Sequence, residues 1–157
     1  MKSQPIMSII NKWVQAVHDD EQITTFCQEH YGKGPLIMVG YDEQTSPTEE
    51  ECPYICFHEA ERDGADTQSS FAYTVSILWA VVNESYDENN RIRMYHGALE
   101  ADDLGELILN AVNTVNPSFP LTDIKYVTAN ESFYPGFLGQ AVVTVEIPNV
   151  LGAKVAY

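Results

Sequence analysis

The chain has 157 residues, of which 45% are apolar, and a net charge of −15 from eight Lys and Arg against 23 Asp and Glu. This length suits one domain that buries a core without disulfide staples, and the apolar fraction argues against a disordered chain. The charge argues against nucleic-acid binding through a basic face, because affinity for phosphate comes mainly from Lys and Arg.

Membrane and secretory classes also fit poorly. The longest apolar block, around Ile77–Val82, is far shorter than the roughly eighteen residues of a membrane span. The N-terminus lacks the pattern of a signal peptide, and three cysteines, an odd number, argue against a disulfide framework. We expect a protein made in the cytoplasm.

The first 32 residues read as a helical N-terminal segment. Residues 3–17 have apolar side chains at helical spacing, with Ser3 as a plausible N-cap and Pro5 in the first turn. Residues 20–31 fit a second, shorter helix that has Asp19, Asp20 and Glu21 at its positive end and His30 near its negative end. Gly32 and the glycine–proline pair that follows end it.

Period-two spacing then predicts three strands within residues 35–83. The stretch "PLIMVGYDE" is the first candidate, and residues 53–61 are the second. An Asp-Gly turn signal joins the second strand to "FAYTVSILWAVV" in a hairpin. This third strand is the most apolar, so we expect it at the centre of the sheet with Trp79 in the core.

The remaining elements complete a single domain over residues 1–157. "SYDENNR" reads as a loop, and residues 90–97 are extended but ambiguous. Residues 101–115 predict a helix that packs across the sheet, and residues 122–148 predict a C-terminal hairpin. The expected fold class is α+β, with a mostly antiparallel sheet, an N-terminal helical segment and one long helix on the sheet.

The stretch "CPYICFHEA" carries two cysteines and a histidine within seven residues. On a strand, Cys56 and His58 point to the same face, whereas Cys52 needs a bend to join them. Zinc requires three or four ligands, and the other candidates, Cys27 and the remaining histidines, show no paired spacing. Because free cysteine is among the most buried residue types, we interpret the stretch as a packed strand without a metal.

Other catalytic patterns are equally weak. No family signature surrounds a Cys–His pair, and carboxylate pairs cannot be identified by counting on so acidic a chain. "YGKGP" follows a helix, where a phosphate loop would follow a strand and open a helix. We therefore expect no enzyme activity, no catalytic residue and no cofactor.

Acids and aromatic side chains are the remaining features. Nine carboxylates lie between Asp42 and Asp66, which are either a solvated surface or a surface that repels or imitates DNA. "ESFYPGFLGQ" sets aromatic residues around a predicted surface turn. Such an apolar loop either covers the core or contacts a partner.

Six stretches, in this order, carry a resemblance to a known family: the helices "SIINKWVQAV" and "ITTFCQEHYG", the strand "GPLIMVGYDE", the hairpin "PYICFHEAE…AYTVSILWAVV", the helix "ADDLGELILNAVNTV" and the hairpin "IKYVTANESFYPGFLGQAVVTVEIP". This arrangement resembles the tail-completion and tail-terminator proteins of long-tailed bacteriophages. It covers nearly the whole chain, without a short motif. The chain is longer than the smallest members, and has two N-terminal helices where some relatives have one.

The resemblance implies a structural virion protein without catalytic residues or cofactors. Such proteins form rings, often hexameric, that cap the tail tube and join it to the head, and they assemble in the cytoplasm of the bacterial host. The implied partners are copies of the chain itself, tail-tube proteins and head-completion proteins. DNA passes through the ring without being bound, and no membrane is involved. A monomer in solution is compatible with a ring that is completed only on the tube tip.

Ring closure needs heterologous interfaces, in which one patch meets a different patch on the neighbour. On this hypothesis the edge of the final strand and the loop 133–138 contact other subunits, and Phe137→Asp blocks joining without disturbing the fold. The candidate interface residues are Phe133, Tyr134, Phe137 and Leu138. The acids that we expect at the channel or rim are Asp42, Glu43, Glu49, Glu50, Glu51, Asp63 and Asp66.

Two alternatives stay open at this point. An acidic inhibitor that imitates DNA fits the net charge of −15 and predicts carboxylates spaced like phosphates along one face. A metal-dependent enzyme or sensor would use the Cys and His side chains of the stretch 52–58.

Overall fold

The computed structural model describes residues 5–40, 44, 48–65, 67–115, 120–129 and 134–148. Within these residues the chain forms three α-helices and seven β-strands. In chain order they are α1 (Ile6–Asp19), α2 (Glu21–Tyr31), β1 (Leu36–Val39), β2 (Tyr54–Asp63), β3 (Ser70–Val82), β4 (Tyr86–Asn89), β5 (Ile92–Tyr95), α3 (His96–Thr114), β6 (Leu121–Ala129) and β7 (Gly136–Pro148).

Helices α1 and α2 follow the apolar spacing of their sequence. The buried side chains of α1 recur three and four residues apart: Ile9, Ile10, Trp13 and Val17. Asp20 separates the two helices, and its carboxylate caps α2 by accepting a hydrogen bond of 2.9 Å from the backbone N–H of Ile23. The predictions of helices at 3–17 and 20–31 are confirmed, although α1 starts and ends later. The proposed N-cap, Ser3, lies outside the described residues.

Five strands form the main sheet, in the order β1-β2-β3-β7-β6. Strand β1 is parallel to β2, and every other neighbouring pair in this sheet is antiparallel. The two hairpins predicted from the sequence, β2–β3 and β6–β7, are both present, and β3 is central as expected. Strands β1 and β6 are consequently the two edges of the sheet.

All three helices pack on one side of this sheet, which we call the covered face. Alternate residues of β3 point into it and are buried: Phe71, Tyr73, Val75, Ile77, Trp79 and Val81. The opposite side, the open face, carries the intervening residues of β3, such as Thr74, Ser76 and Leu78. The α+β class and the packing of the long helix across the sheet are therefore confirmed.

Trp79 fixes how α3 lies on the covered face. Its indole Nε1 donates a hydrogen bond of 2.7 Å to the carbonyl oxygen of Ala101 in α3. Gly139, on the neighbouring strand β7, makes room for the ring, because a Cβ there would lie 2.3 Å from the indole. Tyr126 of β6 closes the other side, with its ring centroid 5.6 Å from that of Trp79.

Residues 84–100 differ from the prediction. The stretch interpreted as a loop contains β4, the ambiguous stretch contains β5, and α3 begins at His96 instead of residue 101. Strands β4 and β5 pair as a hairpin whose two turn residues, Asn90 and Arg91, have φ angles of 53° and 64°. A turn with both central residues at positive φ matches the twist of a hairpin, and Asn tolerates that conformation.

None of the helices in the described part of the chain is long and apolar enough to cross a membrane.

Strand β2 contains a β-bulge. Phe57 pairs with Ile77 and Glu59 with Ser76, so His58 lies between them without a partner on β3. Beyond this point Glu59, Glu61 and Asp63 lie opposite open-face residues of β3 and are exposed.

Candidate functional site

Residues 54–58 are a packed part of β2, as the sequence analysis interpreted them, and Cys52 ends the 3₁₀ turn before the strand. Cys56 is fully buried on the open face between Tyr54 and Ala80, and its Sγ lies 3.1 Å from the carbonyl oxygen of Gly40. Burial raises the pKa of the Cys56 thiol, and it raises the pKa of Cys52 to about 11. At neutral pH burial therefore favours the thiol form of both side chains over the nucleophilic thiolate.

His58 lines an open groove on the open face. Its neighbours there include Glu59, Glu61, Thr74 and Ser76. The Nε2 atom of His58 is buried and has no hydrogen-bond partner among the described residues. Within the described ranges no group of three or more His, Cys, Asp or Glu side chains is placed to hold a metal ion. The groove therefore offers an imidazole beside two carboxylates, without a ligand set for a cation.

A second grouping of polar residues joins β4 to the start of α3. His96 Nδ1 lies 2.8 Å from Ser85 Oγ, and His96 Nε2 lies 2.9 Å from an Asp87 carboxylate oxygen. These are the residue types of a hydrolytic triad. The Ser85 hydroxyl, however, donates to Asn83 Oδ1 at 2.6 Å, so its proton is not directed to the imidazole as nucleophilic attack requires. The contacts attach the β4–β5 hairpin to α3.

The predicted interface loop is divided between two environments. Tyr134 is 56% exposed, and its hydroxyl donates to the carbonyl oxygen of Glu84 at 2.7 Å. Phe137 is only 6% exposed because it belongs to β7 and points into the covered face. Leu138 points to the open face and packs beside the cluster around Cys56, and Phe133 lies outside the described residues.

Phe137 is therefore not a surface residue, and this part of the interface prediction is wrong. Its ring lies directly over Gly97 of α3, where a Cβ would come within 2.2 Å of it, and its centroid is 6.0 Å from that of Tyr95. Within the stretch that was interpreted as a surface turn, Gly136 is already the first residue of β7. The final strand also offers no free edge, because β3 and β6 pair with it on both sides.

The candidate acidic residues that the structure describes lie in two separate places. Glu49, Glu50 and Glu51 form an exposed 3₁₀ turn that precedes β2, while Asp63 is the last residue of that strand. At about 3.3 Å per residue, the ten residues of β2 place these groups roughly 30 Å apart. Three of the proposed acids, Asp42, Glu43 and Asp66, lie outside the described residues.

The β4–β5 hairpin is an exposed surface that the sequence analysis missed. Ile92 and Met94 alternate along β5 and are exposed. Tyr86 lies under the guanidinium of Arg93, 4.7 Å from the ring centroid, and Arg93 Nε also bonds the Glu88 carboxylate at 2.7 Å. The alternation in "YDENNRIRMY" around two consecutive asparagines was the available signal.

The two edge strands also expose aliphatic side chains. On β1, Leu36 is 39% exposed and Val39 is 46% exposed. On β6, Ile124 is 43% exposed and Val127 is 59% exposed. Exposed apolar residues on an unpaired edge favour pairing with another chain.

Glu100 is a buried acid that sequence reasoning did not single out. It lies in α3, is 8% exposed, and accepts hydrogen bonds from the Tyr31 hydroxyl at 2.9 Å and from Asn83 Nδ2 at 2.7 Å. Burial together with this carboxylate raises the pKa of Tyr31. Both oxygens are occupied by partners from α2 and from the end of β3, so the group ties three elements together.

No protein-family model matches the sequence, and a search of curated proteins gave no match.

Proposed function

We propose that this chain is a tail-terminator or tail-completion protein of a long-tailed bacteriophage, a virion component that caps the tail tube as a ring and joins it to the head. The observation that carries the proposal is the pair of unlike sheet edges, β1 and β6, each of which exposes two aliphatic residues. A ring requires two different surfaces on each subunit that complement one another.

The charge distribution supports passage of DNA without binding. Exposed carboxylates on the open face lie on three strands: Glu59, Glu61 and Asp63 on β2, Asp123 on β6 and Glu146 on β7. A surface of this sign repels the phosphate backbone and offers no counterion release. The proposal therefore directs the open face, and not the covered face, toward the DNA channel.

The experiment that tests this function is deletion of the coding sequence from the phage genome that carries it, followed by electron microscopy of lysates. Loss of a terminator yields tail tubes of uncontrolled length, or heads without tails. Expression of the wild-type chain in trans should restore tails of uniform length joined to heads. Normal particles from the deletion would contradict the proposal.

A second candidate function is an acidic inhibitor that imitates DNA. The observation in its favour is the row of Glu59, Glu61 and Asp63, which alternate along one face of β2 and so repeat at about 6.6 Å. It predicts tight binding to a basic nucleic-acid enzyme that weakens steeply with salt. Titration of the chain against such an enzyme at low and high salt separates the two functions, since a ring protein shows no such binding.

A further inference from the structure

The directions of the edge strands allow two copies to continue one sheet. Strand β1 runs parallel to β2. Three antiparallel pairs follow across the sheet, β2–β3, β3–β7 and β7–β6, and each reverses the strand direction. Strand β6 therefore runs opposite to β1. When a second copy stands beside the first in the same orientation, its β1 meets β6 of the first copy. The two strands are then antiparallel, with the helices of both copies on the same side.

The exposed aliphatic residues select one register for that meeting. Leu36 is on the open face and Val39 on the covered face of β1, because they align with Tyr54 and Phe57 of β2. On β6, Val127 is on the open face and Ile124 on the covered face. Both pairs are three residues apart. Placing Leu36 opposite Val127 therefore places Val39 opposite Ile124, each on its matching face.

The backbone hydrogen bonds agree with this register on the β1 side. The N–H of Leu36 donates to the carbonyl of Pro53, and the N–H of Gly40 donates to the carbonyl of Phe57. Even-numbered residues of β1 thus bond β2, and the peptide groups of Ile37 and Val39 point outward.

The β6 side agrees as well. The N–H of Asn83 donates to the carbonyl of Pro135, so odd-numbered residues of β7 bond β3 and even-numbered residues bond β6. Lys125 and Val127 pair with even-numbered residues of β7, which leaves the peptide groups of Ile124 and Tyr126 pointing outward. In the register above, Ile37 lies opposite Tyr126 and Val39 lies opposite Ile124. The outward-pointing N–H and C=O groups of one strand therefore meet those of the other.

Two-fold pairing of either edge with itself lacks this agreement. The two aliphatic residues of each strand lie on opposite faces, because they are separated by an odd number of positions. When two copies of the same edge strand pair antiparallel, residues that lie opposite each other must be on the same face of the sheet. A residue can therefore lie opposite its own copy, but Val127 cannot lie opposite Ile124, nor Leu36 opposite Val39.

We infer that β6 of one copy pairs antiparallel with β1 of the next, with Leu36 opposite Val127 and Val39 opposite Ile124. The chain thereby assembles head to tail through a continued sheet. This inference deepens the proposed ring function, and closure into a ring rests on that function. The pairing itself is a property of the isolated chain.

Disulfide trapping tests the register. Leu36 and Val127 form a pair without direct hydrogen bonds between them, in which the Cα atoms lie about 4.5 Å apart, within the range that a disulfide bridges. Leu36→Cys protein is mixed with Val127→Cys protein, both in a Cys52→Ser background, and oxidised at high protein concentration. The matched control pairs Leu36→Cys with Asp123→Cys, on the same face of β6 but four residues away.

The in-register mixture should yield at least about tenfold more cross-linked dimer than the control, since Cα atoms more than about 7 Å apart cannot be bridged. Each variant oxidised alone should give no disulfide-linked dimer. Equal yields in the two mixtures, no cross-link in either, or a Val127→Cys homodimer would each overturn the inference.

Tail assembly distinguishes this inference from the proposed function. A Val39→Asp/Ile124→Asp chain sets like charges opposite each other across the proposed contact, on side chains that are already half exposed. If the wild-type chain restores tails and this variant also does, the strand pairing is refuted while the terminator function stands. If the in-register disulfide forms but the wild-type chain restores no tails, the pairing stands and the terminator function is refuted.

Discussion

The two faces of the five-stranded sheet use the same strands for different purposes. On the covered face, Trp79 and Phe137 lie against α3 so closely that glycine occupies the facing positions of the helix, Gly105 and Gly97. On the open face, polar contacts such as the 3.0 Å bond between Thr74 and Thr144 hydroxyls alternate with exposed carboxylates. The covered face therefore holds most of the stability of the fold, and the open face is available for contact with other molecules.

The largest expected effect separates two neighbouring residues of β7. Phe137→Ala removes a nearly fully buried ring and should lower the free energy of unfolding by about 4 kcal/mol. Leu138→Ala, one residue further on and facing the open side, should cost about 1 kcal/mol, because that side chain is only partly buried. Urea denaturation of both variants measures the difference. Similar losses would mean that the two faces contribute equally.

The next largest effect comes from adding a methyl group to the covered face instead of removing a side chain from it. Gly139→Ala forces a Cβ to within 2.3 Å of the Trp79 ring and should destabilise by about 2 kcal/mol. The matched substitution Gln140→Ala, on the exposed side, should change the free energy of unfolding by less than about 0.5 kcal/mol. Thermal unfolding of the two variants checks this. An unchanged midpoint for Gly139→Ala would show that the indole can shift.

A pH titration examines the same packing from the helix side. Cys27 of α2 is fully buried on the covered face, and burial raises its pKa from 9.0 to about 12. The folded thiol stays protonated while the unfolded thiol ionises, so its contribution to stability is complete below pH 9.0 and is lost as the pH rises toward 12. By about pH 10 the loss should be about 1 kcal/mol.

Urea unfolding at about pH 8 and about pH 10 measures that loss. The control is Cys27→Ala, which lacks the thiol and should lose less stability over the same interval. If both proteins lose the same free energy of unfolding between these two pH values, the loss does not come from the Cys27 thiol.

The smallest effect belongs to the open face. Replacing Glu59, Glu61 and Asp63 by their amides removes like charges that alternate along one strand, and should stabilise the protein by about 0.5 kcal/mol at low salt. The gain should vanish at high salt, because these side chains are exposed and screened. Denaturation at two salt concentrations tests this, and a loss of stability would indicate that the carboxylates accept bonds that hold the strand.

How much the sequence predicts depends on the range of the interactions involved. The helices near the N-terminus and the strand around Trp79 follow from side-chain periodicity, which is local. The burial of Phe137 depends on Gly97, forty residues earlier in the chain, so the aromatic loop could not be separated from the core by pattern alone.

The β4–β5 hairpin was missed for a different reason. Its turn uses Asn90 and Arg91 at positive φ, where a glycine-containing pair would have given a clear signal. The candidate acids were close in sequence, and only the extended geometry of β2 separates Glu51 from Asp63.

The unpaired position of His58 decides which way the second half of β2 faces. Strand residues reverse sides at every step, so if His58 paired with Ser76 in a regular ladder, Glu59, Glu61 and Asp63 would turn inward toward the core. The bulge therefore keeps these carboxylates in solvent, and deletion of the His58 codon would straighten the strand without changing the side on which they lie.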